Sequence, residues 1–162
     1  MFRIIMTGGI FDGFRVVGFD LETTGFDIKK ERIVEYALIG SDIDGTEINL
    51  QSLVYPEKKI PLEASNVHGI KDQDVKNAGR FSEHIGKISE IIDGSILVGH
   101  NIINFDWKIL EMECFRAGVD TPKPEAIIDT LVIARKLKIP GRHNLGILCN
   151  RYGINLENAH RA

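Results

Sequence analysis

The feature that most constrains the fold is the run VVGFDLETTG at residues 16–25, where two acids interrupt an apolar strand. Side chains alternate along a strand, so Asp20 and Glu22 are predicted to project from one face, about 6–7 Å apart. Two like charges on a mostly apolar strand repel each other and lose hydration, so they need partners. A divalent-cation site would supply one, whereas a half-exposed strand would leave both acids in water. The D-x-E pattern alone favours the half-exposed strand.

The composition indicates one globular domain. The chain has 162 residues, of which 43% are hydrophobic and 27% charged, which is ordinary for a soluble domain of this size. No apolar run is long enough to span a bilayer, and the first residues do not resemble a signal peptide. The sequence therefore predicts a cytoplasmic protein without a membrane partner, in which Cys114 and Cys149 are reduced packing residues.

Charge is distributed unevenly along the chain. The formal net charge is −3, but residues 129–162 carry six Lys and Arg against Asp129 and Glu157, which leaves +4 there and −7 elsewhere. Such asymmetry is typical of a segment that contacts phosphates. Solvated helix surfaces would give the same pattern, and charge alone does not separate the two interpretations.

Hydrophobic periodicity and turn signals predict an α/β fold with a mixed sheet. The first three strands form an antiparallel meander, since Asp44-Gly45 is a turn signal between the second and third. Helices and strands then alternate, Asn144 is the predicted N-cap of the last complete helix, and residues 1–15 are an N-terminal extension to a domain at 16–162. The predicted strands are 16–23, 32–40, 46–55, 95–100 and 126–129, and the main helices are 82–92, 105–117, 130–138 and 145–152.

Two further segments carry candidate chemistry. GHNIINFD at 99–106 follows a short buried strand and places Asp106 in the first turn of a helix. That position favours the helix dipole, but it also allows Asp106 to join the strand acids around one or two metal ions. NAHRA at 158–162 contains His160, which titrates near neutrality and can serve as a general base.

Taken together, these motifs resemble the DnaQ-like 3′–5′ exonucleases of the DEDDh branch, over about residues 16–162. FDLETTG is similar to the family's first motif, VHGI at 67–70 to a loop before the second motif, GHNIINFD to the second motif and NAHRA to the start of the third. The resemblance implies a ribonuclease H-like fold. It also implies a hydrolase that releases nucleoside 5′-monophosphates from single-stranded 3′ ends of DNA or RNA, as the proofreading subunits of bacterial replicative polymerases do.

The resemblance also implies residue roles. It assigns Mg²⁺ or Mn²⁺ binding to Asp20, Glu22 and Asp106, and the general-base role to His160. It gives hydrogen-bonding support to Asn101 and Asp129. Candidate substrate contacts are Leu21, Thr23, Thr24, His68, His100 and Phe105, although Leu21 should face away from the acids and a core or capping role suits the two histidines and Phe105 equally well.

Two departures from the family pattern modify these expectations. Three residues separate Asn101 from Phe105, where many members have two, and a bulge would absorb the extra residue. The family's last carboxylate falls three positions beyond Ala162, so one metal ligand and the closing helix are expected to be absent. We expect weakened metal binding and activity, and an exposed apolar strip that favours self-association.

Two other functions remain as alternatives. A catalytically silent nucleic-acid-binding or polymerase-docking module would explain the missing acid, whereas retention of the other candidate residues argues against it. FDLETTG also faintly resembles the F-D-x-D-x-T motif of aspartyl-phosphate phosphatases, but Glu22 stands where that family needs a second Asp.

Overall fold

A computed structural model describes residues 10–156 of the chain. Most of the predicted N-terminal extension and the NAHRA segment with His160 lie outside these residues. The division into an extension and a domain at residue 16 stays a prediction.

A five-stranded mixed sheet forms the centre of the fold, in the order β3-β2-β1-β4-β5. The first three strands are antiparallel, with the predicted turn at Gly45, and the last two run parallel to β1. The α/β prediction and the antiparallel meander are therefore confirmed. The strands are β1 (Val16–Thr23), β2 (Ile33–Ser41), β3 (Glu47–Leu53), β4 (Ile96–Gly99) and β5 (Ala126–Asp129).

The predicted helices are present, with ends that differ from the predicted ones by at most two residues. Asn144 is the N-cap of the last one, since its Oδ1 accepts a hydrogen bond of 2.9 Å from the Ile147 amide. No helix within residues 10–156 is long and apolar enough to cross a membrane. The helices are α1 (Leu62–His68), α2 (Asp72–Val75), α3 (Phe81–Ile92), α4 (Asp106–Ala117), α5 (Thr130–Lys136) and α6 (Leu145–Arg151).

The main core lies between one face of the sheet and helices α3 and α4. Alternate residues of β1 point into it, and they meet isoleucines that recur at helical spacing along α3. Cys114 is part of this core, and both Cys114 and Cys149 are buried and unbridged as predicted. The core fixes α4 against β1, and this contact determines where the first residue of α4 lies. The β1 core residues are Val17, Phe19 and Leu21.

The β1–β2 pairing has a close approach at one end and an irregularity at the other. A Cβ added to Gly40 would lie 2.0 Å from the Val16 carbonyl oxygen, so only glycine allows the two strands to approach this closely. At the other end, the register shifts between Glu22 and Thr23, where one extra residue of β2 is accommodated. Such bulges redirect side chains, and this one lies beside one of the predicted site acids.

Candidate active site

The two strand acids lie on the face of β1 that points away from the core. Burial alternates along β1, with Asp20 exposed and Glu22 half-buried between the buried Leu21 and Thr23. The register places Glu35 of β2 directly opposite Glu22, on the same face, and Glu35 is buried. Three carboxylates of two neighbouring strands therefore share this part of the sheet.

The third predicted acid reaches the same strand from a helix. Asp106 is the first residue of α4 and is buried, and its Oδ1 accepts a hydrogen bond of 3.2 Å from the backbone amide of Leu21. The parallel partner strand β4 pairs with β1 only as far as Gly18. At Leu21, between Asp20 and Glu22, the Asp106 carboxylate thus accepts the amide hydrogen bond that a neighbouring strand would otherwise accept.

The pKa values of the two aspartates are raised. Burial raises the pKa of Asp106 to about 7, and the negative charges of Asp20 and Glu22 act in the same direction. Asp20 keeps access to solvent, but the protein atoms around its carboxylate reduce hydration and raise its pKa to about 6, with a further contribution from Glu35. Both acids therefore lack compensating positive charge.

The chemistry of this donor set suits a hard divalent cation, which binds oxygen ligands. A cation would offset the repulsion that raises the pKa of Asp20 and Asp106. Within residues 10–156, however, no three His, Cys, Asp or Glu side chains are already arranged as a metal cluster. The Asp106 carboxylate is engaged by the Leu21 amide instead.

A tight turn carries the chain from β4 to Asp106 through the three residues between Asn101 and Phe105. Asn101 has a positive φ of 61°, and its carbonyl oxygen accepts hydrogen bonds from the amides of Asn104 and Phe105. The buried Asp129 accepts from the amides of Asn101 (2.9 Å) and Ile103 (3.2 Å) and also caps α5. These contacts are of the kind predicted for Asn101 and Asp129 as supports.

Several residues predicted to contact substrate are buried, and their side chains pack or form hydrogen bonds within the protein. The Leu21 side chain lies in the core, and Thr23 and Thr24 are buried, with hydroxyls that donate to the Gly25 carbonyl oxygen (2.7 Å) and to the Glu31 carboxylate. His68 is buried at the end of α1, where its Nδ1 accepts from the Ile70 amide at 3.0 Å. Substrate contact by these four residues stays a prediction, and the burial of their side chains does not favour it.

His100 and Phe105 are only half-buried and lie on either side of the turn. His100 Nδ1 is 2.9 Å from Thr130 Oγ1, and burial lowers the pKa of His100. The ring of Phe105 packs partly on the core and lies against the ring of Phe26, with centroids 6.0 Å apart. Phe26 is 85% exposed, so this aromatic pair presents an apolar surface to solvent next to Asp106.

Sequence reasoning did not identify Glu35 or Phe26 as site residues. The signal for Glu35 was its place in the predicted second strand, but assigning it needed the β1–β2 register, which depends on the three-dimensional pairing. Phe26 follows FDLETTG directly, and only its exposure distinguishes it from a core residue.

A buried ion-pair network holds α4 against the loop that follows β1. The Glu113 carboxylate accepts from Arg32 Nε and from Arg116 Nη1, each at 2.6 Å. Arg116 also donates to the carbonyl oxygens of Lys29 and Glu31. Because α4 begins at Asp106, this network helps to fix where that acid meets β1.

Comparison with known proteins agrees with this geometry. The sequence model of the RNase T family, described as exonuclease, matches residues 17–162. The chain is 32% identical over 148 residues to DNA polymerase III subunit epsilon of Treponema pallidum, covering 89% of this chain and 67% of that protein. It is 34% identical to DNA polymerase III PolC-type of Ureaplasma parvum, covering 93% of this chain but only 11% of that much longer protein.

Solved structures show the same fold. Exonuclease I superposes with a TM-score of 0.78 at 18% identity, covering 91% of this chain and 37% of that one. A zinc-ion-bound complex of E. coli ExoI with single-stranded DNA gives a TM-score of 0.74 at 20% identity, covering 92% and 37%. At these identities the likeness establishes the ribonuclease H-like fold alone, as predicted.

Proposed function

Because the chain belongs to the RNase T exonuclease family, we propose that it is a divalent-metal-dependent 3′–5′ exonuclease acting on single-stranded ends. The proposed products are nucleoside 5′-monophosphates, and DNA is the proposed substrate because the relatives are DNA polymerase subunits. Association with a polymerase subunit is proposed on the same ground. The observation that carries the proposal is the Asp106 carboxylate bonded to the Leu21 amide, between Asp20 and Glu22.

The residues that would hold Mg²⁺ or Mn²⁺ are Asp20, Glu22 and Asp106. When bound, the ion would neutralise charge on the scissile phosphate and acidify a water molecule. Asp106 is held near Asp20 and Glu22 by the Leu21 amide and by the core packing of α4. The charge of Glu35 adds to the negative field in which a cation is favoured.

The chain's other residues would orient the strand. The exposed Phe26 and its neighbour Phe105 offer an aromatic surface on which a terminal base can stack. Asp129 restrains the turn that presents Phe105 and Asp106. The role of His160 as the proton acceptor stays a prediction, because His160 lies outside the described residues.

The test is release of mononucleotides from a 5′-labelled single-stranded oligonucleotide with Mg²⁺ or Mn²⁺. We expect the labelled strand to shorten one nucleotide at a time and 5′-monophosphates to appear by chromatography. The Asp20→Asn variant should lose this activity, while the matched variant Asp120→Asn, at an exposed acid in the loop after α4, should keep it. Equal release by the full chain and Asp20→Asn would disprove the proposal.

A further inference from the structure

The segment from α5 to the last described residue, 130–156, is strongly basic; we call it the basic segment. It contains five Lys and Arg and no Asp or Glu, so the net charge of −3 divides into +5 here and −8 elsewhere. All five cations are exposed, and none takes part in an ion pair formed within residues 10–156. They are Arg135, Lys136, Lys138, Arg142 and Arg151.

The basic segment adjoins the candidate active site through His100. The Nδ1 of His100 lies 2.9 Å from the hydroxyl of Thr130, at the start of the segment, and the His100 ring also bonds to the backbone of His143. The positive charge of Arg135 is close enough to act on His100. Asp129 connects the same two elements, because it caps α5 and accepts from the Asn101 amide.

We propose that the basic segment binds the sugar–phosphate backbone of a nucleic-acid strand, upstream of the 3′ end held at the acids. This inference rests on the proposed function and extends it to where the rest of the strand lies. The acids of the site repel a polyanion, and the charge of the chain outside the segment is negative. Exposed cations beside the site can offset this repulsion.

The same segment exposes apolar side chains, including Ile133, Leu137 and Tyr152. Exposed apolar groups beside cations suit a single strand, whose bases stack on aromatic rings while its phosphates pair with the cations. They would also suit a protein surface, either a partner or a second copy of this chain. We favour the strand because the cations are contiguous with the site through His100, and the experiment separates the two.

The experiment compares two double variants of the full chain. Lys136→Gln with Arg142→Gln removes two cations of the basic segment. Lys87→Gln with Lys123→Gln removes two exposed cations, on α3 and in the loop before β5, as the control. Binding of a fluorescent oligothymidylate is measured in EDTA over a range of KCl concentrations. Hydrolysis of the p-nitrophenyl ester of thymidine 5′-monophosphate with Mn²⁺, which has no upstream phosphates, is measured in parallel.

We expect the first variant to bind the oligonucleotide about tenfold more weakly at 100 mM KCl. The slope of log affinity against log salt should fall in magnitude by about 1.4, because each lost contact with a single strand removes about 0.7. The control pair should bind like the unaltered chain, and ester hydrolysis should be the same in all three proteins. That result would support the proposal.

An unchanged slope in the first variant, an equal loss in the control pair, or no binding by the unaltered chain would each overturn the proposal. If binding is unchanged while Leu137→Ser and Tyr152→Ser alter sedimentation, the segment is a protein interface instead. Ester hydrolysis without strand binding overturns this inference and leaves the proposed chemistry standing. Failure of hydrolysis by the unaltered chain refutes the proposed function itself.

Discussion

Helix α4 carries a buried carboxylate in its first turn and another in its last two turns, and the two have opposite surroundings. Asp106 is 5% exposed and Glu113 is 1% exposed. Glu113 is bound by the guanidinium groups of Arg32 and Arg116, whereas the Asp106 carboxylate accepts from the backbone, including the Leu21 amide. Within residues 10–156, no Lys or Arg forms an ion pair with Asp106.

This difference is the one expected between an acid that stabilises the fold and the acid that we propose binds a metal ion. A buried charge is costly unless the fold neutralises it, and the fold does so at Glu113. At Asp106 it does not, and the pKa of that carboxyl rises to about 7. A site that keeps an uncompensated acid is suited to a positive ligand supplied from outside the chain.

The largest expected effect is that of Asp106 on catalysis. Asp106→Asn keeps an oxygen for the Leu21 amide but removes the charge, so we expect exonuclease activity to fall about 1,000-fold, or about 4 kcal/mol of transition-state stabilisation. Mononucleotide release under single-turnover conditions measures the effect. Glu111→Gln, at an exposed acid of the same helix that pairs with Lys108, is the control. Retention of a tenth of the activity by Asp106→Asn would rule out a central role for this acid.

At Glu113 the expected effect is on stability. Glu113→Ala leaves two arginines without their shared partner, and we expect the free energy of unfolding in urea to fall by about 3 kcal/mol. Glu125→Ala, at an exposed position, should change it by less than about 0.5 kcal/mol. If Glu113→Ala were as stable as the unaltered chain, the network would not be what holds α4 in place.

The pH dependence of stability tests whether Asp106 lacks a compensating positive charge. The folded-state pKa of Asp106 is raised to about 7, so the folded protein binds this proton more tightly than the unfolded chain does. Stability without divalent ions should therefore fall as pH rises from about 4 to about 7, by roughly 3 kcal/mol from this residue. Asp106→Asn should remove most of that slope, and thermal unfolding in EDTA at several pH values measures it. If the stability of the unaltered chain rises across this pH range while that of Asp106→Asn does not, the raised pKa assigned to Asp106 is wrong.

The smallest expected effect concerns the exposed aromatic residues near the two ends of α4. Phe26 contacts Phe105 beside Asp106, whereas Phe115 is 79% exposed near the paired end. Losing one stacked base contact costs about 1 kcal/mol, so Phe26→Ala should raise KM about fivefold with little change in kcat. Phe115→Ala should leave both unchanged. Equal effects of the two variants would show that exposure of a ring, rather than its place beside the acids, determines strand binding.

Much of this fold could be predicted because its signals are local. The alternation in VVGFDLETTG, the Asp44-Gly45 turn and the isoleucines of α3 each act over a few residues, and the structure has the corresponding elements. The order of the motifs and their resemblance to a family also predict that Asp106 lies near the acids of β1, where the structure places it.

The features that could not be predicted depend on contacts between residues far apart in the sequence or on the detailed structure of a loop. Glu35 faces Glu22 because of the β1–β2 register, which is continuous from Val16 to Glu22 and shifts only beyond that pair, and no local pattern in either strand specifies this register. The Glu113 network joins residues more than eighty positions apart, and nothing in the helical pattern of 105–117 marks Glu113 as buried. Burial of Thr23 and Thr24 follows from hydrogen bonds within the loop after β1, which a small polar turn does not by itself predict.

The hydrogen bond between the Leu21 amide and the Asp106 carboxylate connects the backbone of β1 directly to the proposed metal-binding acids. A ligand that draws the carboxylate away would leave that amide without its acceptor, in a stretch of β1 that β4 does not reach. The chemical shift and solvent exchange of this single proton would then report occupancy of the acids, without any label attached to the protein or the nucleic acid.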